Sequence, residues 1–274
     1  MGIRSDTCLF FCNEWNLFTI NLKINAMRIV YLLFFMLLIV SCKDKTVASF
    51  SAQEIVDRSI LVSGGDLYKT SDITYKFRDF SYASEWEDGK RVLKRIKQTD
   101  STRVLDVKTS QGLERFVNDS LVPLKDSIAN VYGNSVNSVH YFSNLPYGLN
   151  DPAVKKEFLG EVAIKGKEYY KIKVTFDQKG GGDDYDDIYL YWFNKQTFKP
   201  DYLAYKFYVD GGGIRFRVAY NERYIGGIRF VDYENYEASK EETSIYEVDG
   251  LYVKGQLKLL SKIELVDVSV VASD

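Results

Sequence analysis

From about residue 71 to the end of the chain, apolar and polar side chains alternate in twos, and glycine-bearing turns separate the runs. Ile73, Tyr75 and Phe77 alternate with Thr74, Lys76 and Arg78. Ile172, Val174 and Phe176 alternate with Lys171, Lys173 and Thr175, and Ile214, Phe216, Val218 and Tyr220 with Arg215 and Arg217. A period of two fits a strand with one face in a core and one in water, the pattern of antiparallel sheets. Turn signals stand at Asp88-Gly89, Gln111-Gly112, Lys165-Gly166, Gly180-Gly181-Gly182, Gly211-Gly212-Gly213, Gly226-Gly227 and Asp249-Gly250. Their spacing predicts a mainly β, α+β fold: an antiparallel meander of about ten strands. Composition agrees, because 46% apolar residues suffice for a core, and 21 Tyr and 17 Phe against 4 Pro favour strands.

Helical signals are few. Ser51-Ala52-Gln53-Glu54 has capping-box spacing, Ile55, Val56, Ile60 and Leu61 follow, and Gly64-Gly65 closes the segment. Residues 120–160 interrupt the meander. There Asn134 reads as the cap of a short helix carrying Val136, Val139 and Ser143, and Asp151-Pro152 as the start of another, so short helices are expected within 134–157. No linker composition divides residues 51–274, which read as one domain.

The first forty-two residues follow other rules. Residues 29–40 are an unbroken apolar run, shorter than the roughly 20 residues a membrane-spanning helix needs. Arg28 precedes it and Ile39-Val40-Ser41-Cys42 ends it, before the polar Lys43-Asp44-Lys45. This order resembles the signal peptide and lipobox of bacterial lipoproteins, which implies acylation of Cys42. The other reading is a plain secretory signal with a coincidental cysteine. Asp6 and Glu14 are foreign to a signal peptide, so residues 1–26 are expected to be an over-extended start, residues 27–41 the signal peptide and residues 43–50 a polar tether. Cys8 and Cys12 then lie upstream of cleavage. Cys42 is left as the mature chain's cysteine, which offers no disulfide framework and no cysteine-based zinc site.

Charge excludes one partner class. Thirty-six Lys+Arg against 38 Asp+Glu give a net charge of −2 with no basic patch, so nucleic acid is not an expected partner. Nothing implies a cofactor.

Four features are candidates for chemistry. His140 is the chain's one histidine, and an envelope hydrolase of Ser-His-Asp type would need it, although a hydrogen-bonded structural histidine explains it as well. Asp183, Asp184, Asp186 and Asp187 follow three glycines. They form either a calcium-binding loop of a structural surface lipoprotein or a solvated hairpin tip. Arg215, Arg217, Arg223 and Arg229 accompany Glu222 and Asp232, as contacts to a phosphate or carboxylate headgroup or as cross-strand ion pairs. Finally, residues 188–193 and 202–209 are apolar or aromatic on both faces, which demands cover on both sides. A core on both sides meets that demand, as does an apolar ligand on one. Tyr191, Trp192, Tyr205 and Phe207 are the candidate walls of such a cavity. A small internal echo, Gly212-Gly213-Ile214-Arg215-Phe216 and Gly226-Gly227-Ile228-Arg229-Phe230, marks two adjacent strands.

Residues 134–154 (NSVNSVHYFSNLPYGLNDPAV), 165–207 (KGKEYYKIKVTFDQKGGGDDYDDIYLYWFNKQTFKPDYLAYKF), 211–223 (GGGIRFRVAYNER) and 227–236 (GIRFVDYENY) resemble an uncharacterised family of Bacteroidota lipoproteins. The turn Trp192-Phe193-Asn194-Lys195-Gln196-Thr197-Phe198 is similar to one in the LolA-like superfamily of periplasmic lipoprotein carriers, with Asn194 where Asp is usual. That resemblance implies a curved sheet or half-barrel behind an N-terminal helix, around a cavity for acyl chains. The expectation is a non-enzymatic lipoprotein of the cell envelope, at the outer membrane and facing the periplasm or the surface, that binds a lipid or acyl group.

Overall fold

The computed structural model describes residues 50–179, 185–208, 211–238 and 243–273. Helix α1 (Ala52–Ser63) begins at the capping box read from the sequence. The Ser51 hydroxyl accepts from the Glu54 amide, and the Glu54 carboxylate accepts from the Ser51 amide at 2.8 Å. Its buried residues Ala52, Ile55, Val56, Ser59 and Ser63 fall at helical spacing. Gly64 ends it at φ +142°, where a Cβ would lie 3.1–3.3 Å from Tyr68 and Ile228.

Fourteen strands follow among the described residues, where the turn spacing had predicted about ten, and they form two seven-stranded antiparallel sheets. The first sheet holds β1 (Ser71–Phe77), β2 (Phe80–Glu87), β3 (Lys90–Gln98), β4 (Arg103–Thr109), β5 (Gly112–Val117) and β6 (Ser120–Val122). The second runs β7 (Val154–Ile164), β8 (Lys167–Phe176), β9 (Ile188–Asn194), β10 (Pro200–Phe207), β11 (Gly213–Ile225), β12 (Ile228–Glu237) and β13 (Lys258–Ile263). The final strand, β14 (Val266–Ala272), leaves the second sheet and pairs with β1, so it joins the two meanders in an unclosed, curved arrangement. The corner is pinned at Leu265. Its amide donates to Asp232 at 3.0 Å, its carbonyl accepts from Arg223 at 2.6 Å, and Arg223 pairs with Asp232 at 3.1 Å.

Several hairpins turn where the sequence signalled, at Asp88-Gly89, Lys165-Gly166 and Gly226-Gly227, all with positive φ. Two readings are corrected. Gln111-Gly112 is offset by one, because Gly112 already pairs with Thr109 across the hairpin. Asp249-Gly250 is no turn but part of the short helix α3 (Val248–Val253).

Helix α2 (Asp126–Ser143) begins well before Asn134, which sits in mid-helix instead of capping it. Gly133 lies inside α2, where its missing side chain lets Lys108 of β4 approach to 3.3 Å from where a Cβ would be. Asp151-Pro152 starts no helix; a 3₁₀ segment at Tyr147–Asn150 precedes it and β7 begins at Val154.

Strand alternation splits the two-faced strands between two cores. Tyr191, Phe193, Leu203 and Tyr233 face Ile55 and Val56 of α1. Trp192, Leu190, Ala204 and Phe216 face the opposite way, towards Ile245 and Val248. Cover on both faces therefore comes largely from the chain itself. A third cluster, with Tyr68, Ile73, Tyr75, Ile228 and Phe230, fills the junction of the sheets.

Candidate functional site

One stretch of the second sheet's inner face is not packed shut. Tyr205 and Phe207 on β10 share a face with Arg215 and Arg217 on β11, since Tyr205 stands directly opposite Arg215 and Phe207 opposite Gly213. Tyr189 pairs with Tyr205 from β9, and their rings stack at 5.6 Å. The C-terminal turn of α2 brings Phe142 across them, 5.5 Å from the Tyr205 ring. These side chains, with Phe77, Val139, Val231, Tyr233, Ile263 and Leu265, enclose a cleft of about 380 Å³. That volume falls in the range of small-molecule sites, about 300–1,000 Å³. Val231, Tyr233 and Leu265 are buried at its floor, whereas the aromatic side chains Phe77, Phe142, Tyr189, Tyr205 and Phe207 are only half-buried. Large apolar rings that face inward yet stay in reach of water make this cleft the candidate site.

The two arginines differ. Arg215 lies near the rim, 5.0 Å over the Phe207 ring and 3.9 Å from Glu237. Arg217 is 8% exposed. Its guanidinium lies 3.9 Å from the Phe142 ring centre and donates to the Tyr205 hydroxyl at 3.1 Å, while its Nε has no acceptor. The remaining arginines of the cluster are consumed by structure: Arg223 by Asp232, and Arg229 by Glu222 at 2.6 Å.

The Family of unknown function (DUF6503) matches residues 71–265. The chain belongs to this family. No curated protein matches its sequence. A solved LolA superfamily protein from Nitrosomonas europaea is 14% identical, with a TM-score of 0.47 over 82% of this chain and 95% of that one. A DUF1329 family protein from Desulfovibrio piger is 12% identical, with a TM-score of 0.46 over 81% and 93%. The Mycobacterium tuberculosis lipoprotein LppX is 10% identical, with a TM-score of 0.26 over 59% and 91%.

In this DUF6503 chain the residues singled out from the sequence are distributed as follows. Tyr205, Phe207, Arg215 and Arg217 line the cleft together. Tyr191 has the right facing but lies beneath α2, wholly buried, with its hydroxyl 2.7 Å from that of Tyr141. Burial pushes both phenols well above their ordinary range. Trp192 is no cavity wall, because one step along a strand reverses a side chain. Its indole nitrogen donates at 3.0 Å to Asp249, which also holds Lys171 at 3.0 Å, on the far side of the sheet.

His140 lies on the other side of α2, 2% exposed. Its Nε2 donates to the Lys94 carbonyl at 3.1 Å, since a carbonyl only accepts, which leaves Nδ1 to accept from the Tyr75 hydroxyl at 3.1 Å. Burial first, then the nearby Arg91 charge, lowers its pKa to about 4. The neutral ring ties α2 to the first sheet.

Asp186 is exposed and Asp187 is buried at the cleft's edge. Asp183, Asp184 and Cys42, with the signal region around it, lie outside the described residues. Among the described residues no group of three or more His, Cys, Asp or Glu is placed to hold a metal, and no helix is long and apolar enough to cross a membrane.

Sequence reading did not find Phe77, Phe142, Tyr189, Val231 or Leu265 in the cleft. For Tyr189 a signal existed: it shares strand parity with Tyr191, not Trp192. Phe142 carried none, because which face of α2 meets the second sheet depends on where that helix docks.

Proposed function

We propose that this protein is a lipid-anchored lipoprotein of the cell envelope, held through Cys42, and that its cleft takes up a lipid or acyl chain without chemical change. The half-buried ring of Phe77, Phe142, Tyr189, Tyr205 and Phe207 around a 380 Å³ cleft carries this reading. A water occupies about 30 Å³, and a methylene is of similar size, so the cleft has room for roughly a dozen methylenes, or one chain. At about 0.8 kcal/mol per methylene removed from water, such a chain gains about 10 kcal/mol gross. Lost translational freedom takes back at least about 4 kcal/mol, and useful affinity remains. The anchor supports the reading, because acyl chains on Cys42 would hold the cleft close to its source of ligand. The outer membrane is the membrane we assign.

Native mass spectrometry of protein extracted from membranes tests this. The expected result is a non-covalent mass increment that organic extraction removes, with the Cys42→Ser protein recovered in the soluble fraction. An apo mass alone, unchanged after incubation with lipid vesicles, overturns the binding reading. A Cys42→Ser protein that stays membrane-bound overturns the anchor.

A further inference from the structure

We infer that the occupant of the cleft is a single-chain amphiphile with an anionic head, and that its charge sits on Arg217. The inference rests on reading the cleft as an acyl site and adds the chemistry of the head. Its basis is one misfit. A guanidinium removed from water needs a counter-charge or a full set of acceptors, and burial without them is strongly unfavourable. Arg217 is 8% exposed, yet among the described residues no carboxylate lies within 4.0 Å of it.

What surrounds Arg217 does not remove the deficit. The Phe142 face at 3.9 Å attracts a cation, and the Tyr205 hydroxyl takes one proton of the fork at 3.1 Å, but neither carries a charge. The Nε–H has no acceptor at all. A water could accept from Nε and still leave the charge unbalanced. A carboxylate or phosphate fills both needs, because two of its oxygens match the planar fork of Nε–H and Nη–H.

The rest of the cleft fits the other half of such a molecule. Arg215 stands two residues along the same strand face and adds positive potential at the rim, its own carboxylate partner Glu237 being a distant 3.9 Å away. Phe77, Val139, Ile263 and Leu265 offer the apolar wall along which one chain can lie. Asp187, buried, also lines the cleft, but it is not among the ion-pair partners of Arg217, and its carboxylate repels an anionic head, which leaves the head to the arginine. The same chemistry is met by a free fatty acid and by a single-chain phosphate lipid.

Titration calorimetry on the delipidated full chain, with laurate, dodecyl phosphate and methyl laurate as probes, tests the inference. Laurate and dodecyl phosphate should bind about tenfold or more tighter than methyl laurate, the ratio expected of one charge-assisted pair. Whichever of the two binds tighter identifies carboxylate or phosphate as the preferred head. Arg217→Met should abolish the preference while methyl laurate still binds. Because an unbalanced charge is removed, the ligand-free melting temperature of Arg217→Met should rise. Equal binding of laurate and methyl laurate, a preference that survives in Arg217→Met, or a lower ligand-free melting temperature in that variant each overturns the anionic head and leaves the acyl site standing. Failure of all three probes to bind removes both.

Discussion

His140 gives the sharpest quantitative test of how this fold is held together. It is 2% exposed and neutral, with both ring nitrogens committed, and its pKa is lowered to about 4. In the unfolded chain the imidazole returns to about 6.5. Between those values the unfolded state binds a proton that the folded state refuses, so stability falls as pH drops through the window and levels off below the folded pKa. At about 1.4 kcal/mol per pH unit, the difference amounts to about 3 kcal/mol. His140→Gln supplies one amide donor for Lys94 and one carbonyl acceptor for Tyr75 but does not titrate. Denaturant unfolding of both proteins at pH 7, 5.5 and 4 isolates the histidine from the acid response of the carboxylates they share. The wild type should lose about 3 kcal/mol more than His140→Gln between pH 7 and 4, most of it below pH 6.5. Parallel loss in the two proteins would show that protonation of His140 is not opposed by the fold, and the reasoning would fall.

Three further outcomes follow, two from buried contacts and one from an open turn. Asp249→Ala removes the acceptor shared by Lys171 and Trp192 and leaves the lysine, 8% exposed at its side chain, with the Tyr246 carbonyl at 2.6 Å but no counter-charge. The cost should be about 3–5 kcal/mol in denaturant unfolding, while Lys171→Met/Asp249→Leu should recover most of it. Gly226→Ala places a Cβ 2.7 Å from Val270 at φ +55° and should cost about 2 kcal/mol or more. Gly89→Ala, at φ +69° with nothing within 4 Å, should cost about 1 kcal/mol by thermal melting.

The Gly226 contact also explains the repeated Gly-Gly-Ile-Arg-Phe. Both copies open strands that lie side by side, yet the copies do different work. Gly226-Gly227 lets the β11–β12 tip press against Val270 and Leu67, where the two sheets meet. Arg229 is spent on Glu222, whereas Arg215 reaches the cleft. The same pentapeptide is structural in one copy and faces the cleft in the other because neighbouring strands bring it to different places.

What the sequence determined was local. The alternation of Ile73, Tyr75 and Phe77, the Ser51–Glu54 capping box and the Asp88-Gly89, Lys165-Gly166 and Gly226-Gly227 turns act over a few residues, through backbone sterics and near hydrogen bonds, and they were readable one by one. The same scale put Tyr205 and Phe207 among the candidate walls, with Tyr191 and Trp192, and Arg215 and Arg217 among the candidate headgroup contacts, with Arg223 and Arg229. Only the tertiary structure decided which face. Trp192 and Tyr191 are neighbouring aromatics on a strand apolar on both faces, but the docking of α3 on one side of the sheet and of α1 and α2 on the other sends the first to Asp249 and the second beneath Tyr141. It also decided where α2 starts: Asn134 reads as a cap from its near neighbours, yet the helix begins at Asp126 and carries Asn134 in its interior. Among Arg215, Arg217, Arg223 and Arg229, it decided that Arg217 is the one with no carboxylate of the described residues within 4.0 Å: ion pairing depends on distances across strands that are far apart along the chain, and no count of acidic neighbours in the sequence separates Arg217 from Arg223.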